Sequence, residues 1–556
     1  MILSSWLRQA YRRSSGASLE FVAGQYNILA GYLGNNTEPW FLYGPEVCKD
    51  RRAQIKRLHV ERTPDGKLVN AGWPNYVRGI LSPAEQVEVE QVHEEHFSWE
   101  RRKHRIIEVI RGMDADVLSM VELDHYQTFF KPELDNLGYD AVWCKRPRNT
   151  SHDGCCIAWR RSAFELVSHT WVEYSDSFEH EGLKVVKKDR VALLALLQST
   201  HTGDKLCVVS THLARCPEEA CLDMLRCRQV GQVIRNLGSF VTEHGATDAP
   251  VLLLGDMNAT SIRRLLGMAS AALLLRRGDT YLHPFMFECV DVPSGPTSVT
   301  TARSERLDAI LYQKSCLDLV SVKPLPTLSR LDPIPNKEHP SDHVPVVATF
   351  RVCSEANVAR YWAREWFLEV AGLRGGSMPL SADQLVRAFR FYDHGCDGYI
   401  TSEELRLSVT LLLGPDDLGH SEITLVLSKL RFNPHVSLGT FVSAYSVSAA
   451  ARSGMPGLEH LEEAFHAFDL NGDGALNAEE VQMVFSDCCP TEAPDAEAIA
   501  SIFRHMDQSR HGKDGLISLE EFLRFLNEAW RSQLSNCSRL DYGRFQSVPD
   551  RFRCGL

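Results

Sequence analysis

A chain of 556 residues, 44% hydrophobic and 24% charged, is too long for one core and has the make-up of a water-soluble protein of two to four domains. No apolar run approaches the length a membrane-spanning helix needs. The net charge of −12 is uneven, because residues 351–556 hold 19 Lys+Arg against 29 Asp+Glu and leave 41 against 43 to the first 350; that near balance excludes a strongly basic, tight nucleic-acid binder.

Residues 1–19 carry Arg8, Arg12 and Arg13 among serines and no acid, the bias of an organelle transit peptide or of a loose basic arm. There is no secretory signal pattern, and the sixteen cysteines show no C-x-x-C pair. A reducing compartment, cytoplasmic or nuclear, fits that usage better than a disulfide or zinc framework.

Glu20 to Ala30 reads as a strand ending in Asn27. Residues 35–98 are polar and irregular, an insertion on the substrate side whose basic segment Arg51–Arg57 suits a solvated helix face. From Trp99 to Arg111 the apolar residues recur at helical spacing, predicting a helix packed through Ile106, Ile107 and Ile110. Asp116 to Glu122 is a buried strand with a carboxylate at its end, which calls for a salt bridge or a hard divalent cation. Three further strands follow at 153–159, 190–197 and 206–212, the last ending in His212, with a helix over 226–237 behind them. Then comes the run Val251-Leu-Leu-Leu-Gly-Asp-Met-Asn258, four apolar residues into Gly255 and then Asp256 and Asn258, a buried strand whose alternation puts both polar groups on one side. Residues 306–311 place Asp308 within a strand, and Asp342 and His343 head the last strand of this part, 346–352.

Each of these polar residues alone has a plain structural explanation, such as a turn cap or a satisfied core histidine. Together, Asn27, Glu122, His212, Asp256, Asn258, Asp308, Asp342 and His343 all fall at or near strand ends, which gather on one edge of a core. Carboxylates, amides and histidines with no serine or cysteine nucleophile in a suitable turn indicate metal-assisted attack of water on phosphorus.

The pieces YNIL, W-x-x-R, a strand into Glu122, S-T-H-L, GD-x-N, R-L-D and S-D-H, in this order over about 20–352, resemble the endonuclease/exonuclease/phosphatase superfamily. Glu122-Leu-Asp-His-Tyr through Phe129-Phe-Lys-Pro-Glu-Leu to Asp153-Gly-Cys is similar to its nocturnin, Angel and catabolite-repressor deadenylase group. The resemblance implies an α+β four-layer sandwich, two mixed sheets flanked by helices. It also implies that Glu122 and Asp342 hold Mg²⁺ or Mn²⁺ with Asn27 beside them, that Asp256 activates the water, and that Asn258 and His212 touch the phosphate. His343, paired with Asp308, would offset charge in the transition state. Met257, Val121 and Ala309 depart from the group's usual aromatic, Gln and Tyr. The implied activity is a metal-dependent phosphodiesterase or 3′ exoribonuclease acting on RNA or nucleotides. A phosphatase of small nucleotides, inositol phosphates or lipids stays open, as does an inactive RNA-binding adaptor.

Beyond residue 352, Glu355 to Val370 reads as an amphipathic helix that packs on a neighbouring domain, and Gly372 to Ser377 as a linker, making 353–380 a helix and linker. Residues 381–530 read as helix–loop–helix repeats. Asp469, Asn471, Asp473, Ala475 (through its carbonyl), Asn477 and Glu480 stand at the Ca²⁺ loop positions of an EF-hand, with Gly474 at the sharp turn. A second loop, with Asp393, Asp397, Tyr399, Thr401 and Glu404, has Gly395 where a ligand belongs and should bind more weakly. Asp507 to Glu521 is three residues too long; Asp514 and Glu521 align, its start does not, and little binding is expected. Residues 429–440 look like a loop without ligands that only completes a pair. Four units in two pairs resemble an all-α calmodulin-type module, so calcium control of the enzyme and a calcium-dependent protein partner are expected. The tail, 531–556, is polar and mildly basic.

Overall fold

The computed structural model describes residues 18–525 apart from 33–47, 270–286, 374–379, 414–419, 431–434, 452–461, 483–495, 508–513 and shorter gaps. The basic arm at 1–17, the middle of the linker and the tail at 531–556 lie outside the described residues.

Two six-stranded mixed sheets face each other. The first has the order β11-β12-β1-β2-β4-β3 and the second β9-β10-β8-β7-β6-β5. Here β1 is Glu20–Asn27, β2 Val117–Val121, β3 Tyr139–Lys145, β4 Gly154–Arg160, β5 Phe164–Glu173 and β6 Val191–Ser199. The rest are β7 Lys205–His212, β8 Val251–Asp256, β9 Phe287–Cys289, β10 Asp308–Gln313, β11 Leu317–Val322 and β12 Val346–Val352. The strands read as apolar runs because both faces are covered. Phe21, Ile157, Leu193, Val208, Leu252 and Phe350 belong to the core between the sheets.

Helices close the outer faces. α1, Trp99–Met113, buries Arg102, Ile106, Ile110 and Met113, one stripe at spacings of four, four and three, and stops at Asp114 in a left-handed turn. α2, Cys221–Glu243, lies on the second sheet. The stretch 48–98 is more ordered than its polarity suggests. It folds into short helices around a small core of Ile55, Tyr76, Val77, Leu81 and Val89. Its basic segment lies on a helix, Lys49–Val60, with Lys56 and Arg57 exposed as a solvated face requires, while Arg51 pairs with Glu85 at 2.8 and 2.9 Å and donates to Ile80 O at 2.5 Å.

Sheet register decides where the polar residues land. β1 runs parallel to β2, and β7 parallel to β8, so Asn27, Glu122, His212 and Asp256 leave the two sheets at one edge. β10 and β12 run antiparallel to those neighbours and start at that edge, bringing Asp308 and the Asp342–His343 segment to it. Asp308 opens its strand rather than lying within it. Gly255 is required because a Cβ there would fall 2.0 Å from Thr211 O on the neighbouring strand.

Two residues after β12, Ser354 caps α3, Glu355–Ala371, by accepting from Asn357 N, and Gly372 ends it at φ 81. Helices α4 Ala382–Tyr392, α5 Ser402–Leu413, α6 His420–Lys429 and α7 Leu438–Ala451 frame the first loop pair, and Ala496–Met506 lies in the second. The first pair meets through Tyr399–Ile400 and Val436–Ser437, and the second joins Ala475–Leu476 to Ile517–Ser518. The helix expected to pack on a neighbour is inserted into the first of these pairs. Trp366 is fully buried, stacks on Phe441 at 3.9 Å and donates its indole N–H to Phe441 O at 3.2 Å. Tyr392 Oη donates to Ala363 O at 2.9 Å and Lys429 Nζ to Val370 O at 2.6 Å.

Candidate functional site

At the shared edge the eight polar residues meet. Asp256 Oδ2 accepts from Asn27 Nδ2 at 3.0 Å and lies 3.6 Å from His212 Nε2 and 3.8 Å from His343 Nε2. His212 Nδ1 is 3.9 Å from Glu122 Oε1, so the contacts run unbroken from Glu122 to His343. His343 Nδ1 donates to Asp308 Oδ2 at 2.6 Å. Asp308 is itself fixed by Gln25 Nε2 at 3.4 Å, and its backbone N–H donates to Thr297 Oγ1 at 3.1 Å. Asn258 is placed differently from the alternation argument. Its φ is 48°, and its N–H turns back onto Asp256 Oδ1 at 3.0 Å, so a tight Asx turn sets the pair rather than strand periodicity. Leu29 and Glu122 are also left-handed, at φ 53 and 57. Each such residue costs about 1 kcal/mol or more, and such strain collects at functional sites.

Two positioning groups escaped the sequence reading. Arg102, wholly buried, donates to the carbonyls of Phe97, Ile28, Leu29 and Pro340 at 2.8 to 3.1 Å, clamping the segments that carry Asn27 and Asp342. It is the arginine of the W-x-x-R piece, so the signal was present without its meaning. Arg303 has no local signal. It comes from a two-stranded ribbon, Ser298–Val299 with Ser304–Glu305, and its Nη2 lies 3.1 Å from Asp342 Oδ2 and 3.2 Å from His343 Nε2. A guanidinium only donates, so that second contact belongs to the neutral imidazole.

The electrostatics are those of a buried centre where carboxylates and cationic groups shift one another. Burial first, then Asp342 and Asp153, push the Glu122 carboxyl up to about 7. Burial also raises Asp256, against the pull of His343. For His343, burial acts downward, but the carboxylates of Asp308, Asp342 and Asp256 outweigh it and raise the imidazole to about 10. Burial, then Arg190 and Arg146, hold His212 well below its ordinary value, so it is neutral. Ligand atoms of Asp256, Asp308 and His343 lie within 4.8 Å of one another, but His343 and Asp308 already spend theirs on a hydrogen bond. The better place for a divalent cation is beside Glu122, whose ionised form needs one, and Asp342, whose Oδ1 is buried with no partner. These residues fit such an ion.

In the C-terminal module three loops share one bond pattern. The N–H of the turn glycine donates to the first carboxylate: Gly398 to Asp393 at 2.9 Å, Gly474 to Asp469 at 2.8 Å, and Gly515 to Asp507 at 3.1 Å. The N–H three residues before the last Glu donates to it: Thr401 to Glu404 at 2.8 Å, and Asn477 to Glu480 and Ser518 to Glu521 at 2.9 Å. The start of the long loop is therefore in register after all. Residues 508–513 lie outside the described residues, and Asp507 Oδ1 and Glu521 Oε1 are buried without a partner. That is the donor set a Ca²⁺ ion would complete. Asn471, Asp473 and Asp514 are exposed at the loop tips, where Asp473 and Asp514 accept from Ala475 N and Leu516 N at 3.0 Å. Asp397 likewise accepts from Tyr399 N at 2.9 Å. Of the facing loop of the first pair, 429–440, residues 431–434 lie outside the described residues.

Residues 96–343 match the Endonuclease/Exonuclease/phosphatase family, and residues 458–526 match the EF-hand domain pair. The chain is 30% identical over 268 residues to nocturnin of Xenopus laevis, covering 46% of this chain and 66% of that protein. It is 24% identical over 300 residues to carbon catabolite repressor protein 4 homolog 4 of Arabidopsis thaliana, covering 47% and 72%. Against nocturnin of Rattus norvegicus, at 29% identity, the match covers 46% of this chain and 59% of that protein, so the chain spans less than two thirds of the nocturnins it matches. The crystal structure of ANGEL2, a 2′,3′-cyclic phosphatase, aligns over 60% of this chain and 96% of that one, at 19% identity and a TM-score of 0.44.

Proposed function

For a chain that belongs, through its two-sheet part, to the endonuclease/exonuclease/phosphatase family and carries an EF-hand pair behind it, we propose a metal-dependent phosphodiesterase that trims RNA 3′ ends, poly(A) among them, under calcium control. The observation that carries it is Asp256, one buried carboxylate oxygen within 3.0 Å of an asparagine amide and 3.8 Å of two histidines.

Asp256 is the base that takes the proton of the attacking water, and Asn27 turns its carboxylate toward that water. Asn258 spends one N–H on Leu213 O at 3.3 Å and keeps the other for the scissile phosphate. His343 donates from Nε2 when protonated, its ring held by Asp308, and Arg303 adds a fixed positive charge where the transition state gathers negative charge. His212, neutral, donates to a phosphate oxygen. Glu122 and Asp342 would hold Mg²⁺ or Mn²⁺, which when bound offsets phosphoryl charge and acidifies water. The calcium arm rests on the loops of Asp469–Glu480 and Asp507–Glu521, and on α3, which joins the catalytic part to the first loop pair.

The test is turnover of a 20-nucleotide poly(A), a phosphorylated dinucleotide and a 2′,3′-cyclic-phosphate RNA with Mg²⁺, with chelator, and with added Ca²⁺. Chelator-sensitive shortening of poly(A) that Asp256→Asn abolishes while sparing binding is expected. Hydrolysis confined to the small substrates would replace the ribonuclease reading with a phosphatase. A rate indifferent to Ca²⁺, or a response unchanged by Glu480→Gln, would remove the calcium arm.

A further inference from the structure

Arg190 stands directly before β6 with its backbone fixed, its carbonyl accepting from Tyr174 N at 3.0 Å. Its side chain is only 5% exposed, its Nη1 is sealed from solvent with no partner, and none of its guanidinium nitrogens donates to a described residue. The nearby carboxylates are already engaged. Arg146 holds Asp189 Oδ1 at 2.7 Å and its carbonyl at 2.9 Å, and lies 3.4 Å from both oxygens of Asp153, which also accepts from Tyr32 Oη at 2.5 Å. The β6–β7 ladder, with Ala192 opposite Thr211, brings Arg190 alongside the end of β7 where His212 sits. Its charge reaches the site, since after burial it helps to push His212 down and draws Glu122 down against burial.

A buried guanidinium with five donors and no acceptor is costly unless something anionic arrives to fill it. The donor fork matches a phosphate or carboxylate, and desolvation makes each bond to it strong. We propose that Arg190 is the centre of a second anion subsite beside Glu122 and His212, which takes a substrate phosphate that is not the one being cut. The proposal rests on the nucleotide-cleaving reading and names what the substrate must carry: two phosphate groups on neighbouring positions, as in an oligonucleotide end or a doubly phosphorylated nucleotide. Arg146, braced by Asp189 and Asp153, holds the strand head that presents Arg190 and is its positioning residue.

The test is equilibrium binding by calorimetry of adenosine 3′,5′-bisphosphate and adenosine 5′-monophosphate to the full chain. Wild type, Arg190→Gln and Arg190→Lys are compared. Wild type should prefer the bisphosphate by about ten- to a hundredfold, the worth of a hydrogen bond to a charged group. Arg190→Gln should lose that preference while still binding the monophosphate, and Arg190→Lys should keep part of it. Because the Arg190 guanidinium donates to none of the described residues and its Nη1 is buried without a partner, Arg190→Gln should melt at or above the wild-type temperature; a clear fall in melting temperature with unchanged preference would make the residue structural and overturn the proposal. An unchanged preference in Arg190→Gln, or none in wild type, overturns it too. Turnover of a diester is read separately. An Arg190-dependent preference without hydrolysis sinks the enzymatic reading and leaves the anion subsite, whereas hydrolysis without the preference does the reverse.

Discussion

Replacing Arg102 with leucine tests the placement of the site without touching any group that meets substrate. The guanidinium donates to four buried carbonyls, at Phe97, Ile28, Leu29 and Pro340, and the last of these directly precedes Ser341, Asp342 and His343. Ser341 Oγ in turn donates to Asn27 O at 2.7 Å, so the two segments are stitched twice. Each bond from a charged donor contributes roughly 1.5–3 kcal/mol, and the leucine also removes the cost of burying the charge. The net loss should resemble that of breaking a buried ionic network, about 3–5 kcal/mol, which lowers the melting temperature by on the order of 10 °C for a domain this size. Turnover should fall as well, because Asp342 and His343 lose their fixed distance from Asn27. Near-ultraviolet circular dichroism against temperature reads the first effect and steady-state kinetics at a temperature where the variant is folded reads the second. A variant melting within about 2 °C of wild type, with unchanged kcat, would show that the clamp is dispensable and that the segments are held by their strands alone. Arg102→Lys should rescue little, since a single ammonium cannot span four carbonyls.

Asp308→Asn leaves His343 its shape but withdraws the carboxylate at 2.6 Å that sets its tautomer, so kcat should drop roughly a hundredfold or more with KM nearly unchanged; an equal effect on substrate binding would argue for a structural role. Gly255→Ala forces a Cβ to within 2.0 Å of Thr211 O, so β7 and β8 must part beside Asp256 and His212; a denaturation midpoint equal to wild type would contradict the packing. Trp366→Ala removes the stack on Phe441 and should cost about 3–5 kcal/mol, visible as faster proteolysis between α3 and α4 and a lost response to calcium. An unchanged cleavage pattern would mean that α3 is not anchored there.

The two-sheet part was legible because its polar residues interrupt apolar strands. A carboxylate after Val-Leu-Ser-Met-Val or after Val-Leu-Leu-Leu-Gly cannot be ordinary surface. Other features could not be read that way. Asn258 reaches its place through a left-handed turn, and strand alternation carries no information about such a turn. Arg303 comes from a ribbon of two-residue strands, too short for any periodicity. Arg190 stood in plain view at the head of a buried strand, where an arginine should have prompted the question of its partner. In the module, counting residues failed at Asp507 because loop register is fixed by the bond from the turn glycine, not by loop length. The segment 48–98 hid its order behind polarity, since a five-residue core is enough to hold short helices that pair through Arg51 and Glu85.

The path between calcium and the site is constrained by β12. It begins three residues after His343, is paired antiparallel to β1 on one side and to β11 on the other, and ends three residues before α3 starts. A displacement of α3 would have to break both ladders before it moved His343, and Arg102 and Ser341 hold that segment from its other end. Packed interiors switch between discrete arrangements rather than bending smoothly, so a gradual pull on His343 is the least favourable route. Calcium control would instead act on what the module covers. It should then appear in KM for long RNA, with kcat on a dinucleotide unchanged, whereas a calcium effect on kcat with the dinucleotide would mean that β12 yields.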